Sequence, residues 1–571
     1  MYQYSDQERQ FLHQRASQFQ GQVARFRAGA LDGERFAQLR LRNGLYEQRH
    51  AHMLRVAIPY GQLNSAQLAK LAHIARKYDR GYGHFTTRQN IQYNWPELDD
   101  VPAILHELAE VDMHAIQTSG SCIRNITSDH LAGVSSDEYE DPRPWCELLR
   151  QWSTLHPEFN WLPRKFKFAV TGAKNDRAAV QFHDIGIRIV KNGNDEVRFK
   201  IYVGGGMGRT PVIGKLIHDD LPAAELLSYL QAIMRVYNKY GRRDNKYKAR
   251  IKILVNALGI DKFAEKVNQA WAASKKGAPA QTPELTNQQI NQAKSFFTKK
   301  LAQSAGPRNS GATLIPVANP AFMNWRKHNT SEHALPGYVV VHVSLKAQGE
   351  APGDLDADIM ERLACITRDY SADEIRVTHE QNLVLPYVKR SDLFTVWHKL
   401  NELKLATPNI GKLTDMIACP GLDFCSLANA GTIELAKEIS ERMDDFDRLY
   451  QIGDIKLKMS GCVNACGHHH AGHIGILGVD KKGEEWYQLT LGGSAENDAR
   501  IGQRLGPAVA KTELADAIEN IIETYLKQRR ADESFLATVI RTGVSPFQEN
   551  LYENLYANHK KSPDYQQSVA A

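Results

Sequence analysis

The chain has 571 residues, 42% hydrophobic and 24% charged, which suits a globular protein of roughly 3–5 domains. Its 71 basic and 65 acidic residues leave a net charge of +6, too mild at this length for a nucleic-acid binder. The longest apolar runs, YVVVHV and IGILGV, are strand-sized, far short of the roughly 20 residues of a membrane span. The polar N-terminus has no secretory signal, so the expected location is cytoplasmic, with neither membrane nor nucleic acid as partner.

In chain order, residues 1–50 read as an N-terminal extension and 51–117 as a first β-α-β-α unit. That unit has MLRVAIPYG as strand and NSAQLAKLAHIARKY as helix, then HFTTRQNIQYNWPELDDVPAILHELAEVDMHAI as strand, turn and helix. Arg55 lies in the first strand. Thr86, Arg88 and Gln92 fall in the expected strand TTRQNIQ. Residues 118–330 read as a larger mixed α/β domain, opening with the loop SGSCIRNITSDHLAG that carries Arg124 and Asn125. In LPRKFK, Lys165 and Lys167 alternate by two, so a strand points both to one face; a solvated strand edge is the plainer reading. Gly204, Gly205 and Gly206 form a tight turn before Arg209, and GRRDNKYKARIK, holding Arg250, is a basic helix start. Residues 272–311 look like a polar linker with one amphipathic helix.

A second β-α-β-α unit spans 331–404. Aligning Thr86 with Thr378 also aligns Gln89 with Gln381, Asn90 with Asn382 and Ile91 with Leu383. Two such units can share one sheet and bury what neither buries alone. The expected fold class is α+β: a duplicated module with pseudo-twofold symmetry, two ferredoxin-like halves forming one domain, and two larger mixed α/β domains. Residues 405–571 form the second of these, where IACPGLDFCSLANAG stands in the place of the Arg124 loop. The chain ends in a tail whose Phe547, Leu551, Tyr552 and Tyr556 need a packing partner.

Seven cysteines in a cytoplasmic protein read as thiols or metal ligands rather than disulfides. Cys146 and Cys365, in amphipathic helical text, are expected to be ordinary buried thiols. Cys419 and Cys425, then Cys462 and Cys466, form a ligand set for an iron–sulfur cluster, and a helix would place the second pair on one face. Zinc is the rival, since His468, His469, His470 and His473 follow, but the five-residue gap in the first pair is wide for a zinc knuckle. These histidines could tune the cluster, contact carboxylates of a further cofactor or form a surface cluster.

The order of TTRQ, LPRKFK, GGG and C-x5-C followed by G-C-x-N-x-C resembles the sirohaem-dependent sulfite and nitrite reductases over most of the chain. The resemblance implies sirohaem and a [4Fe-4S] cluster, with Cys419, Cys425, Cys462 and Cys466 as ligands and Cys466 also bridging to the haem iron. It assigns Arg55, Arg124, Lys165 and Lys167 to the anion, and Thr86, Arg88, Gln92, Asn125, Gly204, Gly205, Gly206 and Arg250 to sirohaem. It brings Tyr46 and Cys122 to one edge of the haem, either covalently linked or free. Lysine rather than asparagine at 167 favours sulfite, giving an assimilatory sulfite reductase haemoprotein that reduces sulfite to sulfide. Nitrite reductase is the near alternative; a cobalamin-pathway tetrapyrrole enzyme and a non-catalytic zinc or iron–sulfur protein are more distant. With no G-x-G-x-x-G fingerprint after a strand, electrons must come from a ferredoxin or a separate flavoprotein subunit.

Overall fold

The computed structural model describes residues 2–276, 283–298 and 319–561. Residues 277–282 and 299–311 of the expected linker, and the Tyr556 side chain, lie outside the described residues. Among the described residues, no helix is long and apolar enough to cross a membrane.

The N-terminal segment is part of the fold. Ser5 caps the helix Asp6–Arg27 in a reciprocal capping box with Glu8, and Leu12, Ala16, Phe19 and Val23 form its buried stripe against the helix Val101–Ala109. In the first half, Asn64 and Gln67 cap the helix Ser65–Tyr78 in the same way. That helix packs against Ala357–Tyr370, its counterpart in the second half. Cys365 sits on the outer face of Ala357–Tyr370 and is exposed, contrary to expectation, because Met360, Leu363, Ala364, Ile366 and Thr367 take the inward positions. Cys146 is buried as expected.

The halves do not share one sheet. Each has a five-stranded sheet, and each sheet ends in a strand from the other half. Asp354–Asp356 pairs with Tyr82–Phe85 in the first sheet, and Gln62–Leu63 pairs with Ile375–Val377 in the second. One apolar core joins them, with Leu54, Phe85 and Ile91 from one half and Val341, Val377 and Leu385 from the other. The stretch expected as the single strand TTRQNIQ is a hairpin, Tyr82–Phe85 and Ile91–Tyr93, whose turn holds Arg88. Gln89 (φ 53°) closes it, as Gln381 (φ 58°) closes the matching turn in the second half. In both turns the threonine N–H donates to the asparagine carbonyl at 2.9 Å, Thr86 to Asn90 and Thr378 to Asn382.

The duplication continues through the larger domains. In the first, Thr127–Ser128, Phe168–Thr171 and Ile185–Lys191 run parallel, and Val197–Val203 returns antiparallel. In the second, Ile417–Ala418, Leu457–Ser460, Ile474–Lys481 and Glu484–Leu491 repeat that pattern. Each has its own core. Phe547 and Leu551 of the tail are buried in the second of these, and the helix Asn287–Ser295 buries Ile290 and Ala293 against the first.

Candidate cofactor and anion site

A cleft of about 240 Å³ opens where the halves and the larger domains meet. Tyr46 lines it with Arg55, His84, Thr86, Arg88 and Gln92 of the first unit; the Arg124 loop and Lys165 and Lys167 follow, Gln381 comes from the second unit, and the larger domain after it adds all four cysteines.

The cysteine walls are made of turns. Residues 462–466 are not helical: Ala465 takes φ 55°, and the chain turns before the short helix His469–Ala471. This frees backbone N–H groups to face sulfur. Cys419 Sγ accepts from Gly461 N–H at 3.2 Å and also from Gly421, Cys425 from Leu427 and Ala428, and Cys462 from Asn464. A Cβ on Gly461 would lie 2.6 Å from Ala430 O, so only glycine brings that N–H to the sulfur. Burial, then the Cys466 thiol, pushes Cys419 up to about 12, while Cys425 and Cys462 are raised chiefly by burial. Such thiols ionise only against compensating cations, which a metal cluster supplies. Among the described residues no three His, Cys, Asp or Glu side chains converge as one metal ion requires. A cluster with one thiolate per iron suits four cysteines spread around a cleft.

The opposite wall is cationic. Arg55 donates to Gln92 Oε1 at 2.9 Å, and its Nε is buried without a partner, an orphan donor in a site expected to hold anions. Arg124 is anchored by the carbonyls of Thr118 (2.7 Å) and Gly120 (2.8 Å) and reaches the Tyr46 hydroxyl at 3.2 Å. Lys165 and Lys167 flank Phe166, which is turned into the core, so both face the cleft. Burial lowers Lys165 to about 8, Arg124 and Arg250 adding to the effect and the Cys466 thiol opposing it. Burial, then Arg88, Lys165 and Arg250, pulls Lys167 well below the ordinary lysine range. Burial pushes the Tyr46 phenol up, yet Arg124, Arg55 and Lys165 together draw it below its usual value. Its hydroxyl donates to Thr118 O at 3.1 Å, and the Cys122 thiol points to Ser119 O at 3.2 Å.

Other expected residues turn out to brace the site. Arg88 borders the cleft, but its guanidinium donates to Asn125 O at 2.6 Å and Thr127 Oγ1 at 2.9 Å, and burial lowers it to about 9. Asn125 is not on the cleft wall; its amide donates to Ile58 O and Asn90 Oδ1, both at 2.8 Å. Arg250 is paired with the fully buried Asp184 at 2.7 Å, and Asp184 also accepts the Lys167 N–H at 2.9 Å. Gly204, Gly205 and Gly206 also lie off the wall: a Cβ on Gly205 would sit 2.3 Å from Gln181 O. Close backbone packing therefore explains this glycine. The histidines are no surface cluster. His468 and His469 are buried, both His469 ring nitrogens lack a partner, and His470 Nε2 lies 2.9 Å from Gly208 O across the domain boundary. Three participants escape a reading by motif: Thr87, whose hydroxyl donates to Cys466 O at 2.8 Å, and His84 and Gln381, whose partners are remote in sequence. Gln381 alone left a trace, in the repeat.

A duplicated frame with four cysteines, three of them supported by backbone N–H groups, facing a cationic wall defines a redox enzyme built on an iron–sulfur cluster. Residues 119–275 and 411–561 match the nitrite and sulphite reductase 4Fe-4S domain, and 46–111 and 336–403 match the nitrite/sulfite reductase ferredoxin-like half domain. The chain belongs to the nitrite and sulfite reductase family, oxidoreductases that use sirohaem and a 4Fe–4S cluster. It is 28% identical over 503 residues to a sulfite reductase (ferredoxin) of Mycobacterium tuberculosis, covering 86% of this chain and 82% of that one. It is likewise 28% identical over 502 residues to a chloroplastic ferredoxin–nitrite reductase of Arabidopsis thaliana, covering 84% and 78%. The structure of the Mycobacterium tuberculosis NirA protein superimposes with a TM-score of 0.74 at 25% identity, over 90% of this chain and 92% of that one.

Proposed function

We propose that this chain is the haemoprotein of an assimilatory sulfite reductase, reducing sulfite to sulfide in the cytoplasm. The observation that carries this reading is the cationic wall, where Lys167 stands with Lys165, Arg55 and Arg124 around one cleft. Sulfite offers three oxygens and up to two charges, nitrite two oxygens and one, so four cationic donors suit the larger anion better.

Cys419, Cys425, Cys462 and Cys466 would hold the cluster, and Cys466, the one exposed member, would also help to hold sirohaem. Thr86 and Gln92 would hold the macrocycle from the cleft wall, which Arg88 braces through Asn125 O and Thr127 Oγ1. When bound, the two cofactors supply electrons one at a time. Arg55 and Arg124 orient the anion; Lys165 and Lys167, with proton affinities lowered by burial, give protons to its oxygens as these leave. The electrons come from outside the chain. Ferredoxin, named for the relatives of both kinds, is the donor we propose, with a flavoprotein subunit as the alternative. The division at residues 50, 117, 330 and 404 is part of the proposal.

Nitrite reduction is the second reading, favoured by the equal identity to the Arabidopsis thaliana enzyme. Steady-state kcat/KM on both anions with a reduced viologen decides between them. Sulfite should be preferred, and a clear nitrite preference overturns the proposal. Purified holoenzyme should also show chlorin-type haem bands; a colourless or merely brown protein would sink the sirohaem assignment.

A further inference from the structure

We propose that His84 is a positioning residue for the cluster, oriented by Asp354 and fixing the Cys419 loop through Gln381. The proposal rests on the reading of the four cysteines as cluster ligands. His84 lies in the strand Tyr82–Phe85, opposite Asp354 of the strand inserted by the second half. Its ring is buried on the cleft wall. Nδ1 is 2.6 Å from Asp354 Oδ1, and Nε2 is 3.1 Å from Gln381 Nε2.

Gln381 sets the tautomer. Its Oε1 accepts the Ala418 N–H at 3.0 Å, and its Nε2 also lies 3.3 Å from Phe85 O. The amide therefore turns its NH2 toward His84. Nε2 accepts that hydrogen, and the ring hydrogen sits on Nδ1, where it donates to Asp354. Ala418 immediately precedes Cys419. Three hydrogen bonds thus run from a carboxylate 23% exposed at the rim to the backbone beside a cluster ligand.

The other half shows that the fold does not need this arrangement. Gln89, the counterpart of Gln381, spans Ser128 N–H (2.9 Å), Ser128 O (3.0 Å) and Val377 O (3.0 Å), all backbone groups. The residue in the place of His84 is Arg376, opposite Gln62. It donates to Glu374 and to the carbonyls of His130 and Ala132. A side chain holds the glutamine only in the half that bears cysteines. Outer partners of metal ligands are supports of this kind.

The test compares three variants of the holoenzyme by the rate at which a ferrous chelator strips iron. His84→Gln keeps an acceptor within reach of Gln381; His84→Asn keeps a donor to Asp354 but falls short of Gln381. We expect His84→Ala and His84→Asn to lose iron roughly 10-fold faster or more, and His84→Gln to stay within about twofold of the native rate. The reduced cluster's EPR line shape should sort the same way. Native behaviour of His84→Asn alongside fast loss from His84→Gln overturns the proposal, because the side chain would then merely anchor Asp354. Native rates in all three overturn it too. Should these variants not fold, Asp354→Ala at the rim, which removes the acceptor, takes their place: faster iron loss supports the proposal and an unchanged rate refutes it. Native protein without iron and labile sulfide would instead defeat the functional reading.

Discussion

Replacing Arg250 with methionine separates a cofactor ligand from a structural brace. Asp184 is fully buried and accepts Arg250 at 2.7, 2.8 and 3.0 Å, with the Lys167 N–H at 2.9 Å as a further donor. Without the guanidinium, a buried carboxylate keeps one backbone donor, and breaking such a pair costs about 3–5 kcal/mol. At roughly 2–4 °C per kcal/mol for a domain of this size, the melting temperature should fall by about 6–20 °C. Removing the charge as well, in Arg250→Met with Asp184→Asn, should recover most of the loss. Thermal unfolding of apoprotein and holoprotein, set out as a double-mutant cycle, measures this. A fall under about 2 °C, or additive losses in the double variant, refutes the brace. A loss confined to the holoprotein would return Arg250 to the sirohaem carboxylates. Arg250 also lowers Lys165 and Lys167, so its removal should let both hold protons to higher pH.

Lys167→Asn should reduce kcat/KM for sulfite more than for nitrite, and equal losses would show that this lysine does not discriminate. Because Lys165 is charged only below about 8, turnover should decline as pH rises through that value, and a flat profile to about pH 10 would contradict the assignment. Cys466→Ser should lower iron and sulfide per chain and shift the haem bands; native spectra and content would remove this cysteine from the ligand set. Burial, then Asp141 and Asp129, pushes the Glu138 carboxyl from 4.5 up to about 9. A raised carboxyl pKa means that the unfolded chain ionises first, so stability is lost as pH climbs through that window. Glu138→Gln should therefore raise the melting temperature more at pH 8 than at pH 5; equal shifts would refute the linkage.

The duplication and the cysteines were legible because both rest on local text. Thr-x-x-Gln-Asn marks each turn, and paired cysteines need no partner to be recognised. What escaped depends on backbone sign or on distant partners. The run TTRQNIQ passes for one strand until Gln89 is seen at positive φ, which folds it back. Cys462 and Cys466 have helical spacing, but Ala465 breaks that path and turns N–H groups toward sulfur. Arg250 reads as a free cation because Asp184 lies 66 residues away, and His84 has no motif because Asp354 is 270 residues away. Cys365 was misplaced by the phase of one amphipathic helix.

The exchanged strands bear on how the chain is made. Gln62–Leu63 waits for Ile375–Val377, and Tyr82–Phe85 waits for Asp354–Asp356, so each sheet closes only over long stretches of chain. During synthesis the first half is therefore born with an open edge, the kind of surface that recruits stray strands. Long-range pairing of this sort is slow, and chaperone shielding fits the interval before residue 356 emerges. The same topology makes the halves inseparable: cut apart, each would lack a strand that it cannot supply for itself.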